Sequence, residues 1–111
     1  VSKKPDLDRE LDAFGRFAEP ALLLLISLAD GPKHGYAMTE DIAAVSGERL
    51  GPGTLYGALA RLESRAFIEP MKTDDRRNPY RITALGEKAL RVRLAALEAV
   101  TRIAQRRLAR A

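Results

Sequence analysis

Cysteine and tryptophan are absent from this 111-residue chain, and histidine occurs once. Without cysteine there is no disulfide framework, no zinc ribbon and no thiol nucleophile. With His34 as the single imidazole, no nucleophile and base can be paired, and the GPGT segment at Gly51 to Thr54 lacks the lysine that completes a phosphate-binding loop. No enzymatic activity, cofactor or metal is therefore expected. Aromatic residues are scarce, three Phe and three Tyr, so a ligand slot built on stacked rings is not supported. Long apolar runs are missing as well. The longest, Ala21 to Leu28, is broken by Ser27 and falls far short of the roughly 20 residues that span a bilayer. It also lacks the basic flank and position of a cleavable signal, and reads as a buried helix. A membrane is not an expected partner, and the lack of cysteine suits a cytoplasmic location.

What is present is enough apolar residue, 46% of the chain, for the core of one modest domain. The net charge of +4 is unevenly spread: 8 basic against 10 acidic residues over 1–66, and 11 against 5 over 67–111. Phosphates are attracted to the second part, where counterion release makes affinity fall with salt. Arginines near a helix C-terminus also answer its dipole, so Arg106, Arg107 and Arg110 need not all face a polyanion.

Periodicity outlines the elements. Leu7, Leu11 and Phe14 share one side of an expected helix over Asp6 to Phe14. A second helix is expected from near Glu19, where Pro20 fits the first turn, through Leu22, Leu25, Ile26 and Ala29 to the stop at Gly31 and Pro32. Met38, Ile42 and Val45 repeat at helical spacing, and Gly47 ends that helix. A short turn, Gly47 to Gly51, leads into LGPGTLYGALARLESR, whose Leu55, Leu59 and Leu62 form a buried stripe backed by Ala58. The opposite face carries Gly53, Gly57, Ala60 and Ser64, with Arg61 beside them and Thr54 and Tyr56 flanking. A solvated helix face normally bears long charged side chains. This bare strip permits close approach, and a major groove about 12 Å wide admits a helix.

After this helix, Ile68 and Pro70 alternate with Glu69, and Tyr80 and Ile82 alternate with Arg81, two period-2 runs around a polar loop from Lys72 to Asn78. The expected fold is mainly α with a small β-hairpin, in the order of a winged helix-turn-helix. The same helix and hairpin also suit a solvated corner of an α+β domain, and spacing alone leaves both open. His34, before a helix start, reads as a packing or capping residue. Tyr36 suits either a core ring with a wet hydroxyl or a phosphate donor.

Three segments, HGYAMTEDI (His34 to Ile42), PGTLYGALARLE (Pro52 to Glu63) and DDRRNPYRITALGEKAL (Asp74 to Leu90), resemble in their order the characteristic segments of the PadR family of bacterial transcriptional regulators. The likeness runs from about Glu19 onward and resembles the family's short subgroup, with one C-terminal helix. Two features depart from it: Pro79 removes a ladder donor at the start of the returning strand, where a strand's first residue tolerates it, and Val1 to Phe17 has no placed counterpart.

The resemblance implies a DNA-binding regulator, a dimeric repressor of nearby genes, with a DNA-binding domain at 19–83 and a dimerisation helix at 84–111; the helical extension at 1–18 is expected from periodicity alone. In that last helix Leu90, Leu94, Leu97, Thr101, Ala104 and Leu108 step by 4, 3, 4, 3, 4, widened by Val100 and Ile103, as in a seam between helices. A two-fold dimer sets two reading helices about 34 Å apart on an inverted-repeat operator of double-stranded DNA. Expected DNA contacts are Tyr36, Gly53, Thr54, Tyr56 and Arg61 around the reading helix, and Lys72, Arg76 and Arg77 on the wing. The family also suggests a small-molecule effector between the first and last helices, for which Phe14 and Phe17 are the nearest lining residues, though both also suit packing in the core. The competing reading is a winged-helix protein-interaction adaptor that binds no DNA.

Overall fold

A computed structural model of the chain describes residues 20–73 and 78–110. The expected helix over Asp6 to Phe14, with Phe14 and Phe17, and the wing tip with Arg76 and Arg77 lie outside the described residues. Four helices and one hairpin follow in the order α1 (Pro20–Ala29), α2 (Gly35–Ser46), α3 (Pro52–Ser64), β1 (Ile68–Pro70), β2 (Tyr80–Ile82) and α4 (Ala84–Arg110).

The core forms where the apolar stripes converge. Leu23, Leu24, Leu25 and Leu28 of α1 meet Met38 and Ile42 of α2, Leu55, Ala58, Leu59 and Leu62 of α3, Ile68 of β1 and Leu90 of α4. α1 buries residues round most of its circumference because α2, α3, β2 and α4 all pack on it. Val45 departs from the expected stripe. It is 59% exposed, since the last turn of α2 extends beyond the packed layer.

Backbone chemistry fixes the element ends. Gly47 takes φ 77° and donates its N–H to Ala43, the left-handed cap that ends α2 and turns the chain toward α3. Pro52 occupies the first turn of α3, where its missing N–H costs nothing. At the other end Ala66 takes φ 60°, and the amides of Ala66 and Phe67 bond the carbonyls of Glu63 and Leu62. Thr83 begins α4 as its N-cap: its Oγ accepts the Gly86 N–H at 3.0 Å and donates to the Ala66 carbonyl.

The hairpin pairs Ile68 with Ile82, Glu69 with Arg81 and Pro70 with Tyr80 in antiparallel register. Pro79, outside β2, accepts the Met71 N–H through its carbonyl, so its missing donor does not break the ladder. A third, one-residue strand joins the hairpin, since Lys33 and Tyr80 exchange both backbone hydrogen bonds. Lys33 also turns its ammonium onto the Ser27 and Gly31 carbonyls at the end of α1, with Asp30 and Asp41 nearby. The short α2–turn–α3 pair with this hairpin against it is a winged helix-turn-helix.

Candidate nucleic-acid interface

α3 presents one greasy and one bare side. Its leucines point inward, while Gly53, Thr54, Tyr56, Ala60 and Arg61 are exposed and Gly57 is half-buried. A Cβ placed on Gly53 meets no atom within 4 Å, and one placed on Gly57 meets only the Arg61 Nη1 at 3.6 Å. The strip is therefore bare because the residues are small, not because something lies over it. Arg61 lies back along the helix beside Gly57.

Tyr56 connects α3 to the helix before it. Its hydroxyl sits 3.2 Å from the position a Cβ would take on Gly35, so the ring lies across the first turn of α2 while remaining 60% exposed. A glycine at position 35 is what lets the ring settle there. Tyr36, next in the chain, is 78% exposed and is not the core ring that the sequence also allowed. His34 stands at the N-cap of α2, yet it is exposed and its side chain makes no cap hydrogen bond, so neither packing nor capping describes it.

Two acid–base ties flank the strip. Arg49, in the turn before α3, holds Glu40 of α2 through Nη1–Oε1 at 2.9 Å and Nη2–Oε2 at 3.1 Å. The guanidinium draws the Glu40 carboxyl below its usual range, with a smaller contribution from the Tyr36 hydroxyl. On the wing, Arg81 pairs with Glu69 across the strands. Tyr80 is half-buried at the wing base, and burial, with the nearby Glu63 carboxylate, pushes its phenol above its ordinary value. The sequence reading found none of these ties, because partners nine or more residues apart leave no periodic mark.

Lys72 is exposed on the outgoing side of the wing. Just inside the tip, the Asn78 carboxamide oxygen accepts the Thr73 N–H at 3.2 Å, closing the loop at its base. Arg76 and Arg77 lie outside the described residues. No metal-binding cluster occurs among the described residues, and none of their helices is long and apolar enough to cross a membrane.

α4 leaves the domain after Leu90. That leucine, expected at the head of the seam, is 7% exposed and belongs to the core of its own chain. Leu97 is half-buried, while Leu94, Val100, Thr101, Ala104 and Leu108 are exposed, and so are Leu85, Val92 and Ile103. The Thr101 hydroxyl is spent on the Leu97 carbonyl at 2.8 Å. The distal two-thirds of the helix thus carries an apolar stripe that its own described residues do not cover.

Residues 23–92 match the family described as the transcriptional regulator PadR-like family. The chain is 48% identical over 75 residues to an uncharacterised 37.1 kDa protein of transposon TN4556 from Streptomyces fradiae; the match covers 68% of this chain and spans only 22% of that protein. It is 38% identical over 84 residues to the transcriptional regulator Rv3488 of Mycobacterium tuberculosis, covering 73% of this chain and 78% of that one. In fold it resembles a PadR family transcriptional regulator from Eggerthella lenta, with a TM-score of 0.74 at 23% identity, over 92% of this chain and 95% of that chain.

Proposed function

Because the chain belongs to the PadR-like family of transcriptional regulators, we propose that it acts as a homodimeric repressor that reads an inverted-repeat operator with α3. The observation that carries this reading is the uncovered strip of Gly53, Thr54, Gly57 and Ala60 on a helix held rigidly by four buried residues. Small side chains let the α3 backbone sit deep in the major groove, and Thr54 and Tyr56 supply hydrogen bonds at its leading end. The amides of Gly53 and Thr54, at the helix N-terminus, favour a phosphate. Tyr36 and Arg61 extend the contact to the neighbouring backbone.

In this reading the wing adds affinity rather than sequence choice, through Lys72, Arg76 and Arg77 on phosphates or in the minor groove. Pairing of α4 along Leu94, Leu97, Val100, Thr101, Ala104 and Leu108 sets the two reading helices about 34 Å apart. The units at 1–18, 19–83 and 84–111 then serve as extension, reader and dimerisation helix, in the cytoplasm. A small effector would bear on both reader and dimer from the cavity of about 440 Å³ lined by Leu22, Leu25, Leu62 and Phe67, with Arg61 and Arg65 at its edge.

Fluorescence anisotropy with a random-sequence duplex tests the central claim. A DNA-binding regulator gives binding that weakens steeply as salt rises, by about 0.9 in log K per log salt for each phosphate contacted. A protein-interaction adaptor gives no binding at any salt, and that result would sink the proposal. A footprint on the promoters of its own and adjacent genes then locates the operator.

A further inference from the structure

The Glu40–Arg49 tie is oddly placed for a mere surface salt bridge. Arg49 lies two residues before Gly51, the N-cap of α3, and Glu40 is one helical turn beyond Tyr36 on the same face of α2. The first turn of α2 is where the reading helix rests its Tyr56 ring. The pair therefore stands at the edge of the surface that would meet phosphates. A carboxylate there opposes an approaching polyanion, and it also occupies the guanidinium that would otherwise receive one.

We propose that Glu40 is a charge gate on the DNA-facing surface, holding Arg49 back from phosphate and so limiting the grip on duplexes of arbitrary sequence. This inference rests on the DNA-binding reading above. Its geometry is that of a fork: both carboxylate oxygens face both terminal guanidinium nitrogens, which uses two of the five N–H donors and leaves the other three pointing elsewhere. A phosphate reaching those donors must either dislodge Glu40 or sit beside its charge. Because both side chains are largely solvated, 61% and 42% exposed, the tie is weak enough to be contested. A well-seated duplex can open the gate, whereas a poorly seated one cannot, and the discrimination comes from withheld affinity rather than an added contact.

The alternative role for the pair is a brace. Arg49 ties the turn back to the middle of α2, and if that fixes the start of α3, removing Glu40 misplaces the reading helix and weakens binding. The two roles give opposite signs, which makes them separable.

The test is anisotropy with a random-sequence duplex over a range of salt, comparing the wild-type chain with Glu40→Gln, Arg49→Gln and the double variant. Under the gate, Glu40→Gln tightens binding about five-fold per dimer near physiological salt and steepens the log–log salt slope by about 0.9 per subunit. Arg49→Gln brings no such gain, and adding Glu40→Gln to it restores only the small part due to the carboxylate's own repulsion, well under the five-fold, because the released group is then missing. Glu40→Ala, which keeps high helix propensity, repeats the gain and guards against a fold defect particular to glutamine. Binding by Glu40→Gln and Glu40→Ala that is equal to or weaker than wild type, with an unchanged slope, overturns the gate and leaves the DNA-binding reading standing. A gain that persists undiminished in the Arg49→Gln background also overturns it. If the wild-type chain itself shows no salt-dependent binding, the DNA reading falls and the gate with it.

Discussion

Replacing Gly86 with alanine should unseat α4 from the domain. A Cβ at this position would stand 2.0 Å from the Phe67 carbonyl oxygen and 2.9 Å from the Ile82 side chain. Ordinary contact begins near 3.4 Å, so the helix or the Phe67 peptide must retreat by more than an ångström. No side-chain rotation relieves this, because the obstacle is backbone. That carbonyl already accepts the Thr83 N–H at 3.0 Å, one residue before α4 begins, and the retreat stretches this bond. Overpacking of this kind costs about 1–3 kcal/mol, and the strained hydrogen bond about 1 kcal/mol more. Alanine returns up to about 1 kcal/mol through helix propensity. The net loss is about 2 kcal/mol, which in a domain of this size lowers Tm by about 9 °C.

The assay is thermal unfolding followed by far-UV circular dichroism at one fixed protein concentration, since self-association would shift Tm by mass action. Gly57→Ala is the matched control. There the new methyl meets only the flexible end of Arg61, and Tm should hold or rise by a few degrees. If Gly86→Ala melts at or above the wild-type temperature, the packing of α4 against Phe67 is not what demands glycine.

Three further outcomes are expected. Ala66→Gly should stabilise the fold by about 0.5–1 kcal/mol in urea denaturation, because Ala66 sits at φ 60°, where a Cβ is strained. Leu97→Glu with Ile103→Glu should convert a dimer to a monomer in analytical ultracentrifugation while circular dichroism stays helical, since both residues lie beyond the monomer core. The Glu40 carboxyl should titrate below the ordinary glutamate range by NMR and return upward in Arg49→Gln. Since its folded pKa is depressed, the stability it contributes is present above the unfolded pKa and is lost as pH falls through the folded value.

How much of this was legible beforehand follows from the physics of each element. The Leu55, Leu59, Leu62 stripe and the Gly51–Pro52 start marked α3 correctly, because burial and capping leave local signatures. The hairpin runs were placed at Ile68–Pro70 and Tyr80–Ile82 for the same reason. The Lys33–Tyr80 bridge was not visible, since a one-residue strand has no period. Leu90 reads as part of the seam because the core contact at the start of α4 and the apolar stripe further along share one helical phase; only the fold reveals that Leu90 packs in the core of its own chain. The need for glycine at position 86 leaves no periodic mark either, because the Phe67 carbonyl that demands it lies far off in the sequence.

These charges also constrain how DNA would be held in the proposed reading. Around the helix-turn-helix, Lys33 is committed to the Ser27 and Gly31 carbonyls and two aspartates, Arg49 to Glu40 and Arg81 to Glu69. These three basic side chains thus already have partners within the chain before any polyanion arrives. Electrostatic attraction from this part of the chain is correspondingly modest, and the positive excess lies in the wing and α4. Close fit must then carry much of the recognition, and fit depends on the absence of side chains at Gly53 and Gly57. Gly53→Ala and Gly57→Ala, which leave charge untouched, should therefore reduce operator affinity more than loss of Arg61 does, with no change in salt slope, in the same anisotropy titration. A larger loss from Arg61→Ala, with a flattened slope, would show that charge and not the bare helix surface governs binding.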